Sequence, residues 1–407
     1  MKTGLVGKTL GHSFSPLLHK WMWGCDYALW PMDEDAARAF FAARDFDGVN
    51  VTIPYKRLAL SLCDEVDPRA VRIGAVNTVV NRNGRLFGCN TDYGGMKFCI
   101  ARAGISLAGR KVLVFGSGGT SHTACAVAQD AGAREIVVVS RAGENNYENL
   151  SRHEDAEILL NTTPVGMYPD TERCVADPSR FPRLSGVVDV VYNPLTTLLV
   201  ARARTLGIPA TGGLPMLAAQ AKYAAELFTG QSLPDELTEQ CLSRLSRMQR
   251  NLILIGMPGC GKTTVGKMLA ARLERPFVDL DAEIERSAGR RIPDIFAGAG
   301  ENAFRDLETE ALRRVGKEHG AVVACGGGAV LRPENRFLMR QNGKLYYLLR
   351  DTEKLASDGR PLSRSPEAVK RLFEARRGIY EAISDARIDC NGAPETAADE
   401  IAKEWEA

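Results

Sequence analysis

Gly256-Met257-Pro258-Gly259-Cys260-Gly261-Lys262-Thr263 constrains this chain more than any other stretch. It fits G-x-x-x-x-G-K-[ST], directly follows the apolar run 251–255, and precedes a helical pattern from Val265 to Leu273. Strand, loop and helix in that order are the context the motif needs. Its glycines let backbone N–H groups turn inward around phosphate oxygens, and the helix N-terminus adds partial positive charge. Lys262 is then expected to neutralise the β/γ-phosphates and Thr263 to ligate Mg²⁺, with Gly259, Gly261 and Thr264 beside the nucleotide. A parallel sheet must be built around such a loop.

The rest of the chain agrees with an α/β class. Short apolar runs alternate with helical patterns throughout. Leu5-Val6, 49–53 and 75–80 read as strands, and Asn83-Gly84 after the last is a two-residue hairpin signal. Residues 111–115 and 136–139 read as buried parallel strands, and 214–248 as helical. Three units follow: 1–95, completed by helices within 214–248; 96–213, a dinucleotide-binding type of unit; and 250–407, built on the phosphate loop. Lys and Arg number 52 against 50 Asp and Glu, a net charge of +2, so no basic face argues for nucleic acid or membrane partners. The ten cysteines form no C-x-x-C pair, which argues against a zinc ribbon and a disulfide framework and for a reducing compartment. No apolar run approaches a membrane span and no leader pattern opens the chain, so a cytoplasmic protein with small-molecule partners is expected.

Beyond the phosphate loop, Asp279 and Asp281 stand two apart at a strand end, one suited to a metal shell and one to an acceptor hydroxyl. Read alone, Asp281 is an N-cap for a helix from 282. Gly300-Glu301-Asn302-Ala303-Phe304-Arg305 opens a helix carrying Glu308, and Gly326-Gly327-Gly328 follows a buried strand. Arg305 and Arg376 suit a carboxylate grip by charge-assisted forks. Together with Arg360-Pro361-Leu362 and Arg376 before Tyr380, this order of motifs resembles shikimate kinase over about 250–407. The resemblance implies transfer of a phosphoryl group from Mg-ATP to the 3-hydroxyl of shikimate. It implies Asp279 at the Mg²⁺, shikimate held by Asp281, Arg305, Gly327, Gly328 and Arg376, and Arg360 closing over ATP. Asp281, Lys262 and Arg360 are the catalytic residues it implies. Gly378 departs from the family's proline, and the segment 351–364 is short.

Upstream, Phe115-Gly116-Ser117-Gly118-Gly119-Thr120-Ser121 follows a strand and precedes a helix. It is a partial dinucleotide fingerprint, with Ser121 at the third glycine position. The next strand ends in Ser140-Arg141, and an arginine there favours a 2′-phosphate, hence NADP over NAD. In the N-terminal block, Ser15 read alone is an N-cap with Pro16 at the first helical position. Lys56 and Asp92 each follow a strand end.

The set resembles shikimate dehydrogenase over about 1–230. The carriers are Ser13-Phe14-Ser15-Pro16, 50–56, 73–78, Gly88-Cys89-Asn90-Thr91-Asp92, 161–167, Tyr192-Asn193-Pro194 and 216–220. The resemblance implies a two-domain fold with a Rossmann-like cofactor domain. Lys56 and Asp92 would be the catalytic pair, and Ser13, Ser15, Asn50, Thr52, Asn77, Tyr192 and Gln220 would line the substrate pocket. Gly116, Gly118, Gly119, Arg141, Asn161, Thr163 and Met167 would hold the cofactor. Lys20, Thr197 and the short segment 142–160 depart from the pattern. Together the two resemblances imply a fused bifunctional enzyme of aromatic amino-acid (chorismate) biosynthesis. It would reduce 3-dehydroshikimate with NADPH and phosphorylate shikimate with ATP. The alternatives are a quinate/shikimate dehydrogenase using NAD fused to the same kinase, and a non-catalytic ligand-sensing regulator.

Overall fold

The computed structural model describes residues 1–11, 13–355 and 366–406. Arg360, and with it the Arg360-Pro361-Leu362 segment, lies outside the described residues, as does His12. The chain divides into two compact units, Met1–Leu245 and Ser246–Ala407. Among the described residues no helix is long and apolar enough to cross a membrane.

The first unit holds two sheets. The first contains β1 (Thr3–Gly7), β2 (Tyr27–Pro31), β3 (Gly48–Val51), β4 (Glu65–Val66), β5 (Thr78–Arg82) and β6 (Arg85–Cys89), in the order β2-β1-β3-β5-β6-β4. β1 pairs parallel with both neighbours, while β3–β5 and β5–β6 are antiparallel. Asn83 (φ 55°) and Gly84 (φ 84°) close the β5–β6 hairpin, the left-handed pair that a two-residue turn demands. Phe41, Phe46, Val49, Val79 and Leu86 form the core on one face. The helix Leu214–Thr229 returns to this sheet and packs along the helix Thr91–Arg102. The segment 214–248 therefore resolves into two helices, Leu214–Thr229 and Asp235–Gln249, separated where Gly230 takes a left-handed φ of 69°.

The second sheet is wholly parallel: β7 (Lys111–Phe115), β8 (Glu135–Val139), β9 (Ile158–Asn161), β10 (Gly186–Asp189) and β11 (Ala210–Thr211), in the order β11-β10-β9-β7-β8. Its strands are almost continuously apolar because both faces are covered. The β8–β9 crossover carries only a 3₁₀ turn, Leu150–His153, where a helix would ordinarily lie. Tyr147 from this crossover stacks on Phe115, ring centroids 6.2 Å apart. Thr197 is a helix cap: its hydroxyl accepts from Val200 N and donates to the buried Asp189 carboxylate at 2.7 Å.

The second unit is a five-stranded parallel sheet of β12 (Asn251–Ile255), β13 (Phe277–Asp279), β14 (Val322–Ala324), β15 (Gly343–Leu349) and β16 (Ala386–Asp389), ordered β13-β14-β12-β15-β16. β12 lies at the centre, and its C-terminal end delivers the phosphate loop to the helix Lys262–Arg272. That places the loop where parallel sheets bind ligands, outside the carboxyl ends of the strands.

Candidate active sites

In the first unit, Lys56 opens the helix Lys56–Leu62 just past β3, and Asp92 lies in the first turn of the helix Thr91–Arg102 just past β6. β5 separates those strand ends in the sheet and brings the two side chains together. Lys56 Nζ donates to Asp92 Oδ2 at 2.5 Å, with both side chains mostly buried. They face a polar pocket of about 220 Å³ that also takes Ser13, Ser15, Asn50, Thr52, Asn77, Tyr192 and Gln220. Every residue expected around the substrate therefore converges there.

Local structure explains several positions. Ser15 is not a cap: the N-cap residue is Phe14, with no side-chain cap bond, and the Ser15 N–H instead donates to Ser13 Oγ at 3.3 Å. A capping hydroxyl would point along its own helix, whereas this one is free to face the pocket. Asn50 is braced on both sides, accepting from the Tyr27 hydroxyl at 2.7 Å and donating to Thr78 Oγ1 at 2.9 Å. Asn77 accepts from Thr91 N at 2.7 Å and so ties β5 to the turn that carries Asp92. Beneath them His19 is fully buried and stacked on Tyr27, centroids 4.2 Å apart and planes 4° apart. Its Nδ1 accepts from Trp23 Nε1 at 3.0 Å, and burial lowers its pKa to about 3.

A second cavity, about 960 Å³, adjoins the first, and Lys56 and Thr120 line both. Its floor is the β7–helix turn. Gly116 has a left-handed φ of 110°, and side-chain atoms added at Gly118 would meet only open space. The glycines thus leave room above the N-terminus of the helix Gly119–Asp130, which suits a pyrophosphate. Arg141 and Thr163 also line this cavity. Asn161 and Met167 do not. Asn161 is buried and spends its amide on Asp189 Oδ1 at 2.9 Å and on Val165 O, while its oxygen accepts from the Thr163 hydroxyl at 2.7 Å. It orients the Thr163 loop rather than touching a ligand. Met167 is exposed outside the cavity. Sequence reasoning missed Tyr147 and Arg173, which line it beside Arg141. Both come from irregular segments with no motif to flag them.

In the second unit a cavity of about 580 Å³ gathers Gly259, Gly261, Lys262, Thr263, Thr264, Asp279, Asp281, Arg305, Gly327, Gly328 and Arg376. Gly256, Gly259 and Gly261 have φ of 145°, 84° and 104°, conformations other residues rarely adopt. Lys262 Nζ donates to Gly256 O and Met257 O at 3.0 and 2.9 Å, curling over the loop it serves. The Thr263 hydroxyl and Asp279 Oδ2 lie 2.8 Å apart, a pair of hard oxygens suited to Mg²⁺. The helix cap is Asp279 rather than Asp281: its Oδ1 accepts from Asp281 N and Ala282 N, which puts Asp281 in the first helical turn, lining the cavity.

Arg305 and Arg376 are both buried in the cavity wall. Arg305 Nη1 donates to Glu308 Oε2 at 2.8 Å. Glu308 is wholly buried, and burial raises its pKa to about 7 although Arg305 pulls the other way. Arg350 and Glu308 line the cavity too; neither was assigned a role from sequence.

Comparison with known proteins agrees with both sites. Residues 258–406 match the family model "Shikimate kinase", and residues 5–79 match "Shikimate dehydrogenase substrate binding domain". The chain is similar to the NADP(+) shikimate dehydrogenase of Clostridium perfringens (strain 13 / Type A). Identity is 33% over 258 residues, covering 58% of this chain and 95% of that protein. Its fold is similar to the shikimate 5-dehydrogenase of Thermus thermophilus solved with NADP(H) and shikimate. There the TM-score is 0.55 and identity 33%, covering 60% of this chain and 99% of that one. It is also similar to quinate dehydrogenase from Corynebacterium glutamicum in complex with NAD, at TM-score 0.53 and 27% identity, covering 59% of this chain and 98% of that one.

Proposed function

The chain belongs to the shikimate dehydrogenase family and carries a shikimate kinase domain, and on that premise we propose which residues run its two reactions. It is a bifunctional shikimate-pathway enzyme, an NADP-dependent dehydrogenase joined to an ATP- and Mg²⁺-dependent kinase. The product of the first reaction is the substrate of the second.

The observation that carries the reading is Lys56, which lines both the polar pocket and the glycine-floored cavity. A ketone held in the first meets the nicotinamide of the second at that residue. NADPH supplies the hydride. As negative charge grows on the carbonyl oxygen, the Lys56 ammonium donates a proton to it, and the Asp92 carboxylate holds that ammonium in line. Ser13 and Ser15 offer hydroxyl donors to the substrate carboxylate, and Asn50, Asn77 and Gln220 hold its ring hydroxyls. Gly116, Gly118, Gly119 and Thr163 receive the cofactor backbone, with Arg141 at the 2′-phosphate.

In the second unit ATP and Mg²⁺ supply the phosphoryl group and charge neutralisation. Lys262, Gly259, Gly261 and Thr264 receive the phosphates, and Thr263 with Asp279 holds the metal. Arg305 and Arg376 grip the shikimate carboxylate against Gly327 and Gly328. Asp281 orients the attacking hydroxyl and accepts its proton, so the protein contributes chiefly position and charge. Arg360 is assigned to ATP by resemblance alone. Ten free thiols support a cytoplasmic setting. Arg141 at the β8 end supports NADP rather than the NAD and quinate alternative.

One reaction tests the whole. Purified protein with 3-dehydroshikimate, NADPH and Mg-ATP, followed by mass spectrometry, is expected to yield shikimate 3-phosphate with equal losses of NADPH and ATP. Lys56→Ala should lower reduction by about 10²–10⁴-fold and leave phosphorylation of added shikimate unchanged. Asp281→Asn should do the reverse. Equal loss of both activities from either change would refute two independent sites.

A further inference from the structure

The first unit has another cavity, about 700 Å³, on the far side of the turn that carries Asp92. Asn90, Thr91 and Tyr93 line it, whereas Asp92 between them lines the substrate pocket. Three cations, Arg69, Arg82 and Lys97, reach it from three different elements: the helix Pro68–Ile73, the end of β5 and the helix Thr91–Arg102.

None of the three forms an ion pair among the described residues. Each instead sits by an aromatic face. The Arg69 guanidinium lies 4.5 Å from the Tyr93 ring centroid, Lys97 Nζ 5.8 Å from the same ring, and the Arg82 guanidinium 4.1 Å from Phe87. Such contacts restrict the side chains without neutralising them. The cavity's two acids are committed elsewhere. Asp67 Oδ1 caps the helix Pro68–Ile73 by accepting from Arg69 N and Ala70 N. Glu226 accepts from Leu233 N and pairs with Lys222. Three cations therefore face one lining carboxylate, Asp67, that no cation pairs among the described residues, which leaves a local positive excess on a unit whose overall charge is nearly balanced.

We propose that this cavity binds a small phosphate monoester that also bears a carboxylate, and that its occupancy weakens substrate binding at the Lys56–Asp92 pocket. Three cations converging from separate elements match a multiply charged anion, and two are arginines, whose forks suit phosphate and carboxylate. Coupling has a short physical route. Asn90 and Thr91 lead directly into Asp92, and Thr91 N is bonded to Asn77 of the substrate pocket. An anion seated behind that turn raises negative potential where an anionic substrate must bind. The chain's own kinase releases a molecule of this class, shikimate 3-phosphate. The effect on turnover rests on the dehydrogenase reading above; binding does not.

Calorimetric titration of the full chain with shikimate 3-phosphate is the test, with inorganic phosphate and shikimate as separate arms. Two equivalents are expected to bind, one at the kinase site and one here. The triple variant Arg69→Ala/Arg82→Ala/Lys97→Ala should bind one and keep its kinase activity. Inorganic phosphate should compete for the second equivalent, and shikimate should not. Saturating shikimate 3-phosphate should raise the dehydrogenase KM for 3-dehydroshikimate at least threefold, and the variant should abolish that rise. Lys97→Glu, a single exposed change, should weaken the second equivalent at least tenfold if the triple variant fails to fold. One equivalent in the unaltered protein, two in a folded triple variant, or an unweakened second equivalent in Lys97→Glu overturns the proposal. Because stoichiometry is read without turnover, a failed Lys56 assignment leaves this result intact.

Discussion

Mild acid should reveal the cost of keeping His19 neutral. Its ring is wholly buried, stacked on Tyr27, and its Nδ1 is already an acceptor for Trp23. Burial lowers its pKa from 6.5 to about 3. In the unfolded chain the ring takes a proton near 6.5; in the folded one it does not until about 3. The unfolded state therefore binds more protons below 6.5, and stability is full above that pH and falls as pH drops. The slope is about 1.4 kcal/mol per pH unit, so pH 5 should remove about 2 kcal/mol. Asp189 opposes this. Burial raises its pKa from 3.8 to about 6, so the folded state gains a proton first and stability rises between 6 and 3.8. The unaltered protein alone would show mostly cancellation. His19→Gln isolates the effect, since glutamine offers Trp23 an acceptor oxygen and does not titrate. Urea unfolding read by tryptophan fluorescence follows chiefly this unit, because three of the four tryptophans, Trp21, Trp23 and Trp30, lie in it, and replacing Trp405 of the other unit by Phe in both proteins removes the remainder. The stability difference between the two proteins should shift by about 2 kcal/mol between pH 7 and 5, in the variant's favour at low pH. A shift below about 0.5 kcal/mol would refute the buried neutral ring.

Two substitutions test the cavities by volume and charge. Gly328→Ala would place a methyl group on the Arg305 guanidinium, so the KM for shikimate in the kinase assay should rise at least about tenfold with reduction unaffected. Arg141→Ala should raise the KM for NADPH by about tenfold, worth about 1.4 kcal/mol, and leave that for NADH nearly unchanged. Equal effects on both cofactors would remove Arg141 from the 2′-phosphate.

What the sequence made legible was whatever one element encodes. Buried parallel strands declare themselves as apolar runs, so β7, β8 and β12 are readable, and the phosphate loop carries its glycines because no other residue tolerates its φ angles. Asn83-Gly84 announces its turn for the same reason. Roles set by tertiary partners were not legible. Asn161 lies in a cofactor-like motif, yet its amide belongs to Asp189. Ser15 and Asp281 both looked like helix caps until the chain's path gave that position to Phe14 and Asp279. β4, two residues long, exists only because β6 pairs with it. Tyr147 and Arg173 come from segments without periodicity, and only the assembled cavity shows that they share a wall with Arg141.

The lobe that holds Lys56 and Asp92 is discontinuous in sequence. Its sheet ends at Cys89, but the helix Leu214–Thr229 that covers it follows the whole parallel sheet of β7–β11. Phe228 and Ala224 from that helix share a core with Leu5, Tyr27 and Val80. During synthesis at about 5–20 residues per second, the first strands must wait several seconds for their cover. The intervening Rossmann-like sheet, whose five strands lie in one continuous stretch from Lys111 to Thr211, can pair first. The lobe bearing the Lys56–Asp92 pair is therefore the late-forming part of its unit, with Leu5, Tyr27 and Val80 the apolar surface a chaperone would meet in a nascent chain.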